Sequence, residues 1–145
     1  MKNLRFLLVL SFLLVLIGFY SCQLDDNGGL SLDPRDKYVG TWTCNESPAL
    51  RQLLLTYPVE IVKDTSNESN LFLENFGFIG FNEKPPYGIF SGASISIPQQ
   101  QVCDDNSVTV YGEGTIVDDN KMNWTYTLKV GGDKSSYTAV FTKNN

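Results

Sequence analysis

From residue 39 onward, apolar and polar residues alternate with a period of two. That is the spacing of a strand with one buried face. The clearest run is Lys121–Val130. Met122, Trp124, Tyr126, Leu128 and Val130 share one face, and Asn123, Thr125, Thr127 and Lys129 the other. Ser107–Val117 places Val108, Val110 and Ile116 on one face, interrupted by Gly112 and Gly114. Two glycines on one face of a long strand predict a sharp bend or the close approach of another group. Ser135–Lys143 alternates Tyr137, Ala139 and Phe141 with Thr138, Val140 and Thr142. Shorter runs predict strands over Val39–Asn45, Pro58–Lys63, Asn70–Asn75, Tyr87–Ser91 and Ser94–Ile97, the last extending toward Cys103. Turn-forming clusters separate them at Ser66-Asn67, Asp104-Asp105-Asn106, Asp118-Asp119-Asn120 and Gly131-Gly132-Asp133.

Two segments break the alternation. Asp33-Pro34 sets a capping residue before proline and predicts a short helical turn through Tyr38. Ser47–Leu55 combines a cap, a proline and leucines at helical spacing, and predicts a short helix between the first two strands. Eight sequential strands joined by short loops make an all-β antiparallel domain. An up-and-down barrel and a sandwich both fit. The barrel is the expected form, because closure removes exposed strand edges. Such an interior is either filled by side chains or holds one small ligand.

The first residues follow different rules. Lys2 and Arg5 precede an apolar run, Phe6–Phe19, broken only by Ser11 and Gly18. This is the form of a secretory signal rather than of a membrane span, which takes about 20 apolar residues. The run closes at Ser21-Cys22. A small residue before a cysteine in this position resembles the lipobox of bacterial lipoproteins, although Phe19 and Tyr20 depart from its usual residues. The resemblance implies lipidation of Cys22; an ordinary cleaved signal and an uncleaved anchor are the alternatives. Residues 22–32, beginning Gln23-Leu24-Asp25-Asp26-Asn27-Gly28-Gly29 after the cysteine, then form an acidic, glycine-rich tether. An acidic cluster there resembles the surface-export signal of Bacteroidota lipoproteins. The implied address is the outer membrane, at the cell surface or on its periplasmic face. The expected organisation is a signal peptide at 1–21, the tether at 22–32 and a barrel domain at 33–145.

Composition narrows the chemistry. The chain of 145 residues carries a formal charge of −5 and no histidine. Residues 1–21 hold Lys2 and Arg5 and no acid, so the remainder has 9 Lys and Arg against 16 Asp and Glu, a formal −7. An acidic surface repels phosphate backbones, so no nucleic-acid partner is expected. The lack of histidine removes the commonest general base and metal ligand. Nine Phe, seven Tyr and two Trp supply the material of a packed core.

Tyr38-Val39-Gly40-Thr41-Trp42 carries Gly-x-Trp where a helical turn enters the first strand. This motif resembles the opening of lipocalins and other calycin barrels, whose Trp packs across one end. The wider chain resembles a group of small Bacteroidota lipoproteins with a lipocalin-like domain. The likeness runs through Asp33–Trp42, Leu73–Gly77, Ser96–Val102, Tyr111–Ile116 and Ser136–Lys143. It implies a fold and an address but no activity. One departure stands out. Lipocalins place an arginine near the last strand against this tryptophan. The arginines here are Arg5, Arg35 and Arg51, and the chain's end offers Lys134 and Lys143.

Few residues invite chemistry. Cys44 and Cys103 remain once Cys22 is set aside; outside the cytoplasm a disulfide between them is expected, two buried thiols being the alternative. The Asp-Asn triplets suit tight turns better than a calcium loop. Glu60, Glu74 and Glu113 are the strand carboxylates; Glu113, between the two glycines, is expected on the outer face. The loop Asn82–Tyr87, with two prolines, is expected to be a stiff connector. Trp42, Trp124 and Tyr126 are the candidate ligand-binding residues, able either to line a cavity or to fill the core. No metal, cofactor or catalytic residue is expected. The chain therefore reads as non-catalytic: a lipid-anchored module binding an envelope protein partner or, alternatively, a lipocalin-like carrier of a small apolar ligand or glycan at the barrel mouth.

Overall fold

A computed structural model describes residues 33–48 and 54–144. The signal, Cys22, the tether and the centre of the expected 47–55 helix lie outside the described residues. A 3-10 turn, η1 (Pro34–Lys37), leads into eight strands: β1 (Gly40–Pro48), β2 (Leu55–Lys63), β3 (Asn70–Glu74), β4 (Tyr87–Phe90), β5 (Ser94–Val102), β6 (Val108–Asp118), β7 (Lys121–Val130) and β8 (Asp133–Lys143). A second 3-10 turn, η2 (Phe76–Phe78), lies between β3 and β4. Each strand pairs antiparallel with the next, and β8 pairs with β1, closing an up-and-down barrel in sequence order.

Alternation sets what faces inward. Trp42, Val59, Ile61, Leu71, Leu73, Ile95, Ile97, Met122 and Phe141 are all essentially inaccessible to solvent. Their outward neighbours on β7, Asn123 and Thr125, are exposed. Gly112 and Gly114 answer to close approach. A Cβ on Gly114 would lie 2.5 Å from the Trp124 indole, and one on Gly112 would lie 2.4 Å from Tyr126 Cβ. The register pairs these residues directly, Gly112 with Tyr126 and Gly114 with Trp124. The large β7 rings thus lie across β6 where β6 has no side chains. On the other edge of β6 the register with β5 shifts between Ile97 and Gln100. There the Gln100 side chain bonds both main-chain groups of Tyr87, accepting from its N–H at 3.0 Å and donating to its carbonyl at 2.7 Å. A side chain thereby continues the β4–β5 seam past the bulge.

The two ends differ. At one end, called here the base, lie η1, the β2–β3, β4–β5 and β6–β7 turns and the end of β8. Arg35 is buried there. Its guanidinium pairs with Asp33 at 2.7 Å and donates to the carbonyls of Asn67 at 2.9 Å and Asn70 at 2.7 Å. Trp42 closes the base, its indole N–H donating to the Tyr38 carbonyl at 2.9 Å. Lys143 Nζ stands 5.9 Å from the Trp42 ring centre and donates to the Lys37 carbonyl at 2.5 Å. A lysine thus stands over the tryptophan at the base.

Two expectations are corrected. Ser47 and Pro48 extend β1 and Leu55 opens β2, so both ends of the expected 47–55 helix are strand. Across that seam Glu46 pairs with Leu55, and sheet pairing there overrides a local leucine spacing suited to a helix. The expected disulfide is absent: Cys44 and Cys103 are both free, buried thiols. Cys44 sits within β1, whereas Cys103 follows β5, four strands away around the closed barrel. A disulfide needs Cα atoms within about 7 Å, and the packed interior stands between these two strands.

Candidate ligand site at one mouth of the barrel

Opposite the base is the mouth, where β1 ends, β2 begins and the η2, β5–β6 and β7–β8 connections lie. Alternation from Trp42 through Cys44 turns Glu46 inward near the end of β1, and the residue is 5% exposed. Tyr57 reaches the same point from β2, and Tyr126 from β7. Tyr57 Oη donates to Glu46 Oε2 at 2.5 Å, and Tyr126 Oη donates to the same oxygen. The two hydroxyl oxygens are 3.3 Å apart. Two hydroxyls, from β2 and β7, therefore converge on one carboxyl oxygen from β1 inside a largely apolar barrel.

Burial raises the Tyr57 and Tyr126 hydroxyls well above the ordinary tyrosine range. It also pushes the neighbouring Cys44 thiol up to about 12. Both phenols therefore stay neutral donors at any ordinary pH. The surrounding walls are aromatic. Tyr137 stacks on Tyr126 at 5.3 Å, and Phe78, 61% exposed, covers Tyr57 at 5.3 Å. Below the cluster, Phe76 packs against Trp124 at 5.0 Å and Tyr126 at 4.6 Å, and Trp124 against Phe141 at 5.4 Å. These rings form a filled floor. At the rim, Leu54, Leu55, Phe81 and Val130 are exposed together with Phe78.

The three candidate residues divide between the two ends. Trp124 and Tyr126 belong to the floor and the polar cluster beneath the mouth, and Trp42 closes the base. Glu46 and Tyr57 were not among the candidates, though both lie next to the expected strand ends at Asn45 and Pro58. Glu46 shares the parity of Trp42 and Cys44; extending the alternation by one residue would have found it. Of the carboxylates considered, Glu113 is exposed and Glu60 and Glu74 are half-buried. The Asp-Asn turns use their acids locally: Asp105 accepts from the Ser107 N–H at 2.9 Å and Asp118 from the Asn120 N–H at 2.8 Å. Among the described residues, no three His, Cys, Asp or Glu side chains group as metal ligands. A cleft of about 340 Å³ lies on the outer face across β1, β8 and β7, lined by Asn45, Ser47, Asn123, Thr125, Thr138 and Val140 among others. Most of its lining is the outward set of the alternation, joined by Leu54 of the rim and by Trp124 and Ala139 of the inward set.

No family model matches this sequence, and no curated protein matches it either. Solved structures do share the fold. A redesigned beta barrel, b11L5F_LGL, aligns with a TM-score of 0.54 at 11% identity, over 78% of this chain and 96% of its own. EF1p2_mFAP2b bound to DFHBI aligns with a TM-score of 0.48 at 11% identity, over 77% of this chain and 98% of its own. At such identities the first likeness concerns the fold alone, that of a small closed barrel. This architecture is capable of enclosing one small ligand.

Proposed function

We propose that the protein binds a small, largely apolar molecule at the mouth of its barrel, held by the Glu46–Tyr57–Tyr126 cluster. The convergence of three polar groups beneath an apolar rim carries this reading. Ligand sites are concave and mostly apolar, with a few placed polar groups that fix orientation. Glu46 supplies an acceptor and the two phenols supply oxygens that accept as well as donate. The ligand class that matches is a planar or aliphatic molecule carrying one hydrogen-bond donor. Phe78 lies over Tyr57 as the movable cover. The aromatic floor limits the depth, so the site favours a ligand of one or two rings over a long acyl chain.

The test is equilibrium binding of 2-naphthol, a planar probe with one hydroxyl, followed by fluorescence. Saturable binding is expected in the wild type. Glu46→Gln and Tyr57→Phe each weaken it about five- to tenfold, the equivalent of about 1–1.5 kcal/mol for one hydrogen bond. Absence of saturable binding, or binding indifferent to both substitutions, refutes the reading.

A second reading rests on the exposed rim. Leu54, Leu55, Phe78, Phe81 and Val130 surround one mouth, and apolar groups gathered on one surface mark interaction sites. We propose on this ground that a lipid-anchored form, attached through Cys22 in the outer membrane, also presents the rim to an envelope protein. Incorporation of labelled palmitate by the wild type but not by Cys22→Ala tests the anchor; equal labelling of both discards it.

A further inference from the structure

Phe76 occupies the lumen in an unusual way. In the cluster it forms with Trp124, Tyr126 and Phe141, it alone comes from outside the strands. Its ring is 1% exposed and lies 4.6 Å from Tyr126, 5.0 Å from Trp124 and 5.9 Å from Phe141. It is carried on η2, between residues in the left-handed region: Asn75 at φ 61°, Gly77 at φ 66° and Phe78 at φ 59°. Two of these three are not glycine, and side-chain-bearing residues rarely adopt that conformation. The Asn75 side chain clamps the segment, donating to the Pro58 carbonyl at 2.7 Å and accepting from the Gly80 N–H at 2.9 Å.

The indole against which Phe76 packs is the second observation. Trp124 Nε1 is buried with no hydrogen-bond partner among the described residues. Trp42, equally buried, has one in the Tyr38 carbonyl. Buried donors are nearly always paired in folded proteins. A donor left without an acceptor, beside a side chain inserted from a strained loop, indicates an acceptor that arrives when that side chain leaves.

We infer that Phe76 stands in for the ligand. The 75–80 segment swings out of the mouth, and a planar aromatic molecule takes the place of the Phe76 ring. Its acceptor meets the Trp124 N–H and its donor meets Glu46. The inference rests on the mouth being a ligand site, and it adds the depth, the gate and the second polar contact. The matching ligand class is a fused or single aromatic ring with a donor at one end and an acceptor at the other.

Two measurements on the full chain test it. The first needs no ligand: hydrogen exchange of the two indole N–H groups, read by NMR on protein with labelled tryptophan. Opening of the segment exposes Trp124 without unfolding the barrel. Exchange at Trp124 is expected at least a hundredfold faster than global unfolding allows. Asn75→Ala should speed it about tenfold further. Exchange at Trp124 only at the rate of global unfolding overturns the proposal. The second compares 6-hydroxyquinoline, which has a hydroxyl donor and a ring-nitrogen acceptor at opposite ends, with 2-naphthol, which lacks that nitrogen. The wild type should prefer 6-hydroxyquinoline at least fivefold, and Trp124→Phe should abolish the preference. Equal affinities, with binding still dependent on Glu46, overturn the gate and leave the mouth site standing. Failure of both probes to bind overturns both.

Discussion

At the scale of single residues, two buried polar side chains do opposite things. Arg35 is structural. It gathers the carbonyls of the β2–β3 turn and the Asp33 carboxylate, and so pins the chain's entry to the base of the barrel. Its bonds to Asp33 hold that carboxyl far below the usual carboxylate range. A lowered folded value means that this contribution is present above about pH 4 and is lost as pH falls further. Arg35→Ala removes these charge-assisted bonds, the two carbonyls keeping only backbone donors, the Asn70 N–H to Asn67 at 3.1 Å and the Asp64 N–H to Asn70 at 3.2 Å. It should lower stability by about 1.5–3 kcal/mol, measured as a shift of the urea midpoint. An unchanged midpoint would mean that water replaces the guanidinium at no cost. Glu46, by contrast, ties β1 to β2 and β7 through two hydroxyls, the groups that the proposed ligand would compete for. Sequence alone did not separate these roles. Arg35 lay in a stretch noted for its cap and its proline, and Glu46 lay one residue past the expected end of β1. Neither burial nor partner is visible until strands distant along the chain are brought together.

Elements were more legible than sites, and the reason is local. The period-two signal of β7 and β8 is long and unbroken, that of β6 is long and interrupted only by its two glycines, and those strands appear where the alternation puts them. β1 and β2 were cut short because Ser47–Leu55 has a competing helical pattern, and pairing between strands decides such conflicts. The disulfide failed on the same ground. Two cysteines outside the cytoplasm favour a bridge statistically, but whether strands one and five are near each other is a property of closure, not of spacing. Gly112 and Gly114 are the counterexample, where a sequence anomaly pointed to a real packing event. Gly114→Ala puts a methyl group 2.5 Å from the Trp124 indole. Overpacking of this kind should cost about 2–3 kcal/mol. Gly131, unlike Gly114, has a positive φ, 57°, and nothing lies within 4 Å of its would-be Cβ. Gly131→Ala should therefore cost only the backbone penalty, about 1 kcal/mol. Urea unfolding of the two variants separates steric from conformational demand, and equal losses would contradict the assignment of Gly114 to ring packing.

For the whole molecule, the polar cluster couples folding to alkaline pH. Cys44, Tyr57 and Tyr126 share one buried region, and burial raises all three above their ordinary values, Cys44 to about 12. In the unfolded chain these groups ionise near their ordinary values, about 8.5 for a thiol and about 10 for a phenol. A group whose folded value is raised stabilises the fold fully below its unfolded value. That contribution is lost as pH rises from there through the folded value. The melting temperature should therefore be flat near neutrality and fall with increasing slope above about pH 9. Each coupled group adds about 1.4 kcal/mol per pH unit. Tyr111 is a useful contrast: its hydroxyl lies on the outer face, where bonding to Lys134 lowers it. Ultraviolet titration should thus show Tyr111 ionising early in the folded barrel, while Tyr57 and Tyr126 stay silent until unfolding. Tyr57→Phe should flatten the alkaline loss by removing one coupled group. If all the tyrosines instead titrated together in a folded barrel, the cluster would be open to solvent. The mouth would then lack the dry, preformed donors on which both the ligand reading and the Phe76 gate depend.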